Sequence, residues 1–387
     1  MIDFTFINNP VQLYFGEGKL TEVVQTIRSY GTKALLVFGG SSFQKNGYYR
    51  SFVDSLAKGG VTAIDFGGHT YPSLAKVREG VALCRAERID CIIGIGGGTC
   101  MDVAKAIAFA TKQEEDIFRF LTYEISEEER SHLPVGSIVT YPSSGSEMNG
   151  AAQIDDDETR DKFGLSSVVP DFVWLNPAYT MSIDSTSLAY GQLTAFVQIS
   201  SGFISLEKAE LTETMTAALL KSVLKNLNRS ISNSKDQEAR SNLMLSTAMS
   251  MTGVSTFGKT GDWTLMPLTG LMQNYLNIPY TKALTIIFPH FLKDIYDGNR
   301  VFKAYFENVF GVSIDGKTDT EILEEGLNSL EDVYRRFGVA MTFRELTEVP
   351  TDHTALLDIV NNMGEMPSQY GVFTAERLMR ILMDSIG

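Results

Sequence analysis

Residues 91–102 constrain the fold of this 387-residue chain more than any other stretch. The apolar run Cys91-Ile92-Ile93-Gly94-Ile95 stops at Gly96-Gly97-Gly98, and a helical pattern of Val103, Ala104, Ile107 and Ala108 follows Thr99-Cys100-Met101-Asp102. Strand, tight turn and helix start are expected in that order. Glycine lets a backbone approach a ligand closely, and the first N–H groups of a helix point at whatever lies before it. A pyrophosphate suits both properties. Thr99 stands where the dinucleotide fingerprint has a third glycine. A turn needed only to pack a strand on its helix leaves the same trace, so its neighbours have to decide.

The neighbours repeat the pattern. Apolar strand-like runs at 34–38, 62–66, 138–140 and 172–175 alternate with helical patterns at 20–27, 52–56 and 77–84. Such alternation predicts parallel βαβ units with both sheet faces covered. Residues 151–154 and Lys162–Leu165 read as a hairpin around Asp155-Asp156-Asp157-Glu158, an acid run expected to be a solvated turn. After about Thr186 strand signals vanish. Segments 219–227, 243–252, 322–337, 356–363 and 375–386 all carry helical periodicity. The expected organisation is an α/β dinucleotide-binding domain over 1–185 and an all-helical domain over 186–387, with no internal repeat or low-complexity segment.

Charge excludes one class of partner. With 33 basic and 47 acidic residues the net charge is −14, and such a surface repels nucleic acid. No apolar run is long enough for a membrane span. The start, Met1-Ile2-Asp3-Phe4, has no basic n-region or long apolar h-region, so a cytoplasmic protein is expected. The three cysteines, Cys84, Cys91 and Cys100, lack metal-type spacing and read as buried thiols. There are only four histidines: His69, His132, His290 and His353.

Three further N-terminal segments fit the glycine turn. Gly39-Gly40-Ser41-Ser42 ends one strand, where an adenosine ribose would rest. Thr140-Tyr141-Pro142-Ser143-Ser144-Gly145-Ser146-Glu147-Met148-Asn149 is a polar loop after another, and Lys162 supplies a cation on the hairpin. Ligands of open α/β sheets bind beyond the carboxyl ends of the strands, where these loops fall. With Asn176-Pro177-Ala178-Tyr179-Thr180 and Gly261-Asp262-Trp263, these segments make the chain resemble the iron-type (group III) alcohol dehydrogenases, most closely their butanol dehydrogenase branch. The resemblance runs from Phe4 to the last helix.

That resemblance implies a Rossmann-like half, a helical metal- and substrate-binding half, and hydride transfer between a nicotinamide and an alcohol or aldehyde carbon. It assigns Gly39, Gly40, Ser42, Gly97, Gly98, Thr99, Asp102, Thr140, Ser144, Lys162 and Tyr179 to the cofactor. Small neutral residues at 39, 40 and 42 match the NADP-preferring form of the ribose loop, since a carboxylate there would repel a 2′-phosphate. NADP(H) is therefore expected over NAD(H). A homodimer paired along the first β segment, residues 4–15, is also implied.

The same resemblance fails at the metal. Family members hold iron or zinc with an aspartate and three histidines; here those positions are Thr194, Gln198, Met266 and Tyr280, and a further histidine position is Gly270. Hydroxyl, amide, thioether and neutral phenol are poor ligands for a divalent first-row metal, so no metal is expected. Tyr280, with Lys282 nearby to lower its pKa, is the candidate replacement as a proton donor; the alternative is that Tyr280 only fills space. The expectation is a metal-independent or altered oxidoreductase acting on a small uncharged alcohol or aldehyde. Its rival is a nucleotide-binding pseudoenzyme without turnover.

Overall fold

The computed structural model describes residues 10–40, 42–127 and 131–387. Half of the candidate dimer segment, residues 4–9, lies outside the described residues, as does Ser41. The chain forms two compact units. One takes the described residues up to Ile183 together with Lys235–Thr252; the other takes Asp184–Ser234 and Gly253–Gly387.

The first unit is built on β1 (Gln12–Phe15), β2 (Lys33–Phe38), β3 (Thr62–Gly67), β4 (Cys91–Gly96), β5 (Val135–Val139) and β8 (Phe172–Leu175). These six form one wholly parallel sheet in the order β1-β8-β5-β4-β2-β3. Its central strands are largely apolar because both faces are covered. Leu35, Val37, Ile92 and Val135 pack on one side with helices Leu74–Glu87 and Gly98–Thr111. Leu36, Ile93, Ile138 and Trp174 pack on the other with helices Leu20–Tyr30 and Tyr48–Lys58.

The hairpin of β6 (Ala152–Asp155) and β7 (Lys162–Leu165) stands apart as a separate antiparallel pair. Its acid run is more than a solvated turn. Asp155 is buried and ion-paired to Lys162 at 2.7 Å. Asp157 accepts hydrogen bonds from Tyr71 Oη, Ser73 Oγ and the Ala75 backbone N, tying the hairpin to the start of helix Leu74–Glu87. Burial raises the Asp157 pKa, but these bonds outweigh it and hold the carboxyl below its usual value.

Helix Gln237–Ser250 belongs to this unit although it follows long helices of the other. Its Met244 and Ala248 fill a small core with Met101, Val139, Val173 and Leu175. Buried Arg240 donates to Thr180 O at 3.1 Å and Ile183 O at 3.4 Å.

The second unit centres on helix Ser185–Phe203, buried continuously from Leu188 onward. Helices Glu210–Ser232, Leu265–Leu276, Tyr280–Ile295, Asp319–Phe337, Thr354–Met363 and Ala375–Ile386 complete it. It is not purely helical: β9 (Met366–Ser368) and β10 (Gly371–Phe373) make an antiparallel hairpin. Three-residue strands are too short to leave a period in the sequence. No described helix is long and apolar enough to cross a membrane.

Candidate functional site

The glycine turn forms as the sequence predicts. β4 ends at Gly96, Gly97 is the N-cap, and the helix begins at Gly98. Residues 96–99 are half-buried. Lack of side chains lets the loop after β5 close on the turn. A Cβ on Gly97 would lie 3.1 Å from Tyr141 Cδ1, and one on Gly98 would lie 2.7 Å from Ser144 Oγ. The Thr140 backbone N donates to Gly96 O at 2.9 Å. The structure thus brings Gly97, Gly98, Thr99, Thr140 and Ser144 to the carboxyl ends of adjacent strands β4 and β5.

The Gly39-Gly40 segment lies at the end of β2. Gly39 is tightly held, since a Cβ there would sit 2.9 Å from His69 O. Gly40 is exposed and faces open space, with nothing within 4 Å of its Cβ direction. Asp102 is turned inward. It accepts from Ser146 Oγ at 2.6 Å and from the Gln153 backbone N at 3.1 Å. Burial raises its pKa, countered by Lys105 and these two bonds.

Lys162 and Tyr179 have other occupations. Lys162 is neutralised by Asp155. The Tyr179 ring packs with Phe43, Tyr48 and Trp174 at centroid distances of 5.2, 4.6 and 5.3 Å. Burial pushes its phenol well above the ordinary value.

In the helical unit, Tyr280 donates to Met266 Sδ at 3.1 Å, so these two positions meet although they lie on different helices. Thr194 spends its hydroxyl on Tyr190 O of its own helix at 2.8 Å. Gln198 is buried and its Oε1 has no hydrogen-bond partner. The Lys282 Nζ stands 5.7 Å from the ring centroid of Tyr190. The four histidines are placed elsewhere: His69 bonds Phe66 O, His132 bonds Leu133 O, His290 bonds Met341 O, and His353 meets Tyr275.

Among the described residues no three His, Cys, Asp or Glu side chains gather as a metal set. A thioether already bonded to a phenol, a threonine turned onto its own helix and a neutral amide do not fit a divalent iron or zinc ion, which needs imidazole, carboxylate or thiolate.

Two residues that matter to this site escape a reading by motif. Lys105 and Glu147 are both fully buried, one in the helix after the turn and one in the loop. The available signal was Lys105 itself, a lone charge in the apolar run Val103-Ala104-Lys105-Ala106-Ile107-Ala108.

Residues 10–177 match the sequence model of iron-containing alcohol dehydrogenase, and residues 188–386 match that of the Fe-containing alcohol dehydrogenase family, C-terminal. The chain belongs to the iron-containing alcohol dehydrogenase family and is butanol dehydrogenase-like within it. A probable NADH-dependent butanol dehydrogenase of Bacillus subtilis is 30% identical over 343 residues, covering 87% of each chain. An NADPH-dependent aldehyde reductase of Escherichia coli is 24% identical over 339 residues, covering 86% of each. The crystal structure of NADH-dependent butanol dehydrogenase A from Thermotoga maritima superposes with a TM-score of 0.92 at 26% identity, over 100% of this chain and 99% of that one.

Proposed function

We propose that this chain binds a nicotinamide dinucleotide at the glycine turn and passes hydride between it and a small uncharged aldehyde or alcohol. In this reading Tyr280, not a divalent metal, handles the substrate oxygen. The observation that carries it is the Tyr280–Met266 contact. A thioether is a weak acceptor, so a carbonyl oxygen competes well with it for the phenolic proton.

In the reducing direction a bound dihydronicotinamide would supply the hydride that adds to the carbonyl carbon. The C=O π pair moves onto oxygen, which takes the phenolic proton, and water restores that proton to the phenolate. The side chains at the family's metal positions, Thr194, Gln198, Met266 and Tyr280, are all neutral, which suits an uncharged substrate. Open space at Gly40 supports NADP(H) over NAD(H), because a 2′-phosphate needs room and no carboxylate. The relatives include both NADH- and NADPH-dependent enzymes.

The test is consumption of NADPH and NADH with short-chain aldehydes, with chelator and with added iron or zinc. Turnover is expected to survive chelation and to gain nothing from metal. Tyr280→Phe is expected to lower kcat/KM by about a hundredfold or more. Loss of turnover on chelation, or an undiminished Tyr280→Phe enzyme, overturns the reading.

A second reading has its own support. The Lys282 ammonium stands over the Tyr190 ring, 5.7 Å from its centroid, so it is engaged by another ring than the phenol it would have to activate. A nucleotide-binding protein without turnover then results, and tight NADPH binding with no consumption selects it.

On the same reading the cofactor belongs to residues 1–185 and the substrate to 186–387. Two copies pair along the first β segment, residues 4–15; among the described residues β1 has a sheet neighbour on one side only, and its Leu13 is exposed. Light scattering is expected to return twice the 42.7 kDa chain mass; a monomer mass removes the pairing.

A further inference from the structure

Lys105 is completely buried in helix Gly98–Thr111, two turns into it. Its Nζ donates to Ser146 Oγ at 2.7 Å, Asn149 O at 3.0 Å and Ala151 O at 2.6 Å. An ammonium has three donors, and all three go to the loop after β5. One turn earlier on the same helix, Asp102 accepts from Ser146 Oγ and from the Gln153 backbone N. The Ser146 hydroxyl therefore accepts from one charge and donates to the other. This loop is also the one that brings Tyr141 and Ser144 against Gly97 and Gly98.

A third charged group lies in the loop. Glu147 is 2% exposed and its Oε1 has no hydrogen-bond partner. Lys105 is the charged neighbour that acts on it, while Asp102 feels both Lys105 and Asp155. Helix Gln237–Ser250, on the other side of the loop, meets Gly145 through Thr247 O and Ser250 Oγ. Two buried carboxylates thus share one ammonium whose donors are spent elsewhere. Burial pushes Glu147 up to about 7.

We infer that Lys105 is a positioning residue for the dinucleotide, the buried clamp that holds the Tyr141–Ser144 wall against the glycine turn. It does not touch the nucleotide. Remove its charge and three acceptors lose their donors, Asp102 and Glu147 lose their counter-charge, and the wall detaches from the helix. The inference rests on the proposed nucleotide site and goes beyond it by naming what shapes that site. It also makes affinity sensitive to pH through Glu147. Ionisation of that carboxyl, 2% exposed and with Oε1 unpartnered, adds a second anion to the one ammonium beneath a wall that faces an anionic ligand, so affinity falls as pH rises.

The experiment is titration of the intact chain with NADH and with NADPH, followed by nicotinamide fluorescence, at about pH 6 and about pH 8. Wild type, Lys105→Met, Lys105→Arg and Glu147→Gln are compared, with circular dichroism to verify folding. Lys105→Met is expected to weaken both nucleotides at least about 30-fold, and Lys105→Arg less. Wild-type affinity is expected to drop several-fold between the two pH values, and Glu147→Gln to flatten that drop. The ligand's own titration is common to all proteins and cancels.

A merely structural lysine would not change the pH slope. A folded Lys105→Met with wild-type affinity overturns the inference, as does an unaltered slope in Glu147→Gln. Where Lys105→Met does not fold, Ser146→Ala removes one acceptor of the clamp and the donor to Asp102. An expected tenfold loss, by order of magnitude, supports the clamp and unchanged affinity overturns it. Wild-type protein that binds neither nucleotide brings down the proposed site and this inference with it. Wild-type binding with no loss in the variants brings down the inference alone.

Discussion

Gly94→Val is expected to destabilise the chain by about 3 kcal/mol, the upper end of what overpacking a core costs, and to weaken nucleotide binding with it. Gly94 lies inside β4, directly under the helix that starts at Gly98. A Cβ there would stand 3.1 Å from Cys100 O and from Met101 Cα, and 3.2 Å from Ala104 Cβ. Two of those atoms are backbone and cannot yield unless the whole helix moves. Nor can the helix retreat, because its Ile107 side chain is already pressed against Gly80 of helix Leu74–Glu87, where a Cβ would lie 2.4 Å away. The displaced turn would carry Gly97, Gly98 and Thr99 out of register with Ser144. Alanine, which asks only a few tenths of an ångström, should do much less. A thermal midpoint and an NADPH dissociation constant for each variant decide the matter; a valine protein as stable and as tight-binding as wild type refutes the packing argument.

Glu147→Gln is expected to stabilise the protein at alkaline pH and to leave it unchanged in acid. Burial raises the folded-state value of this carboxyl from 4.5 to about 7. Between those values the native state binds more protons than the unfolded one, so stability falls as pH rises through that window, and the deficit is fully present above about 7. A shift of that size corresponds to ~3 kcal/mol as an upper figure. For a chain of this length that is about 3–4 °C in midpoint. Melting curves of both proteins at about pH 4 and about pH 8 should therefore coincide at the first and separate at the second. Coincidence at both would mean that the buried carboxyl finds compensation that its unpartnered Oε1 does not reveal.

The sheet was legible because β2, β4 and β8 are buried on both faces and so carry unbroken apolar runs. The long helices were legible from their period. The hairpin of β9 and β10 was not, being too short to show one. Nothing in the pattern of residues 237–250 reveals which unit that helix packs on, since periodicity records an apolar face and says nothing of what covers it. At the site, Gly97 and Gly98 could be read because absence of a Cβ is itself the relevant chemistry. Lys105 and Glu147 could not, because a charge in a sequence looks the same whether it ends in water or in the protein interior. Lys162 reads as a cation open to the cofactor because its partner Asp155 belongs to an acid run whose sequence predicts a solvated turn.

The path of helix Gln237–Ser250 has a consequence for how the chain matures. Residues Val139, Val173 and Leu175 leave the ribosome well before Met244 and Ala248, the residues that cover them. The intervening Asp184–Ser234 belongs to the other unit. During synthesis the α/β half therefore waits, its sheet complete but one apolar patch bare, until a segment of the second half has been made. A chimera spliced to a relative at a single junction near residue 185 would separate that patch from its native cover, so exchange between relatives has to carry residues 235–252 along with the sheet they protect.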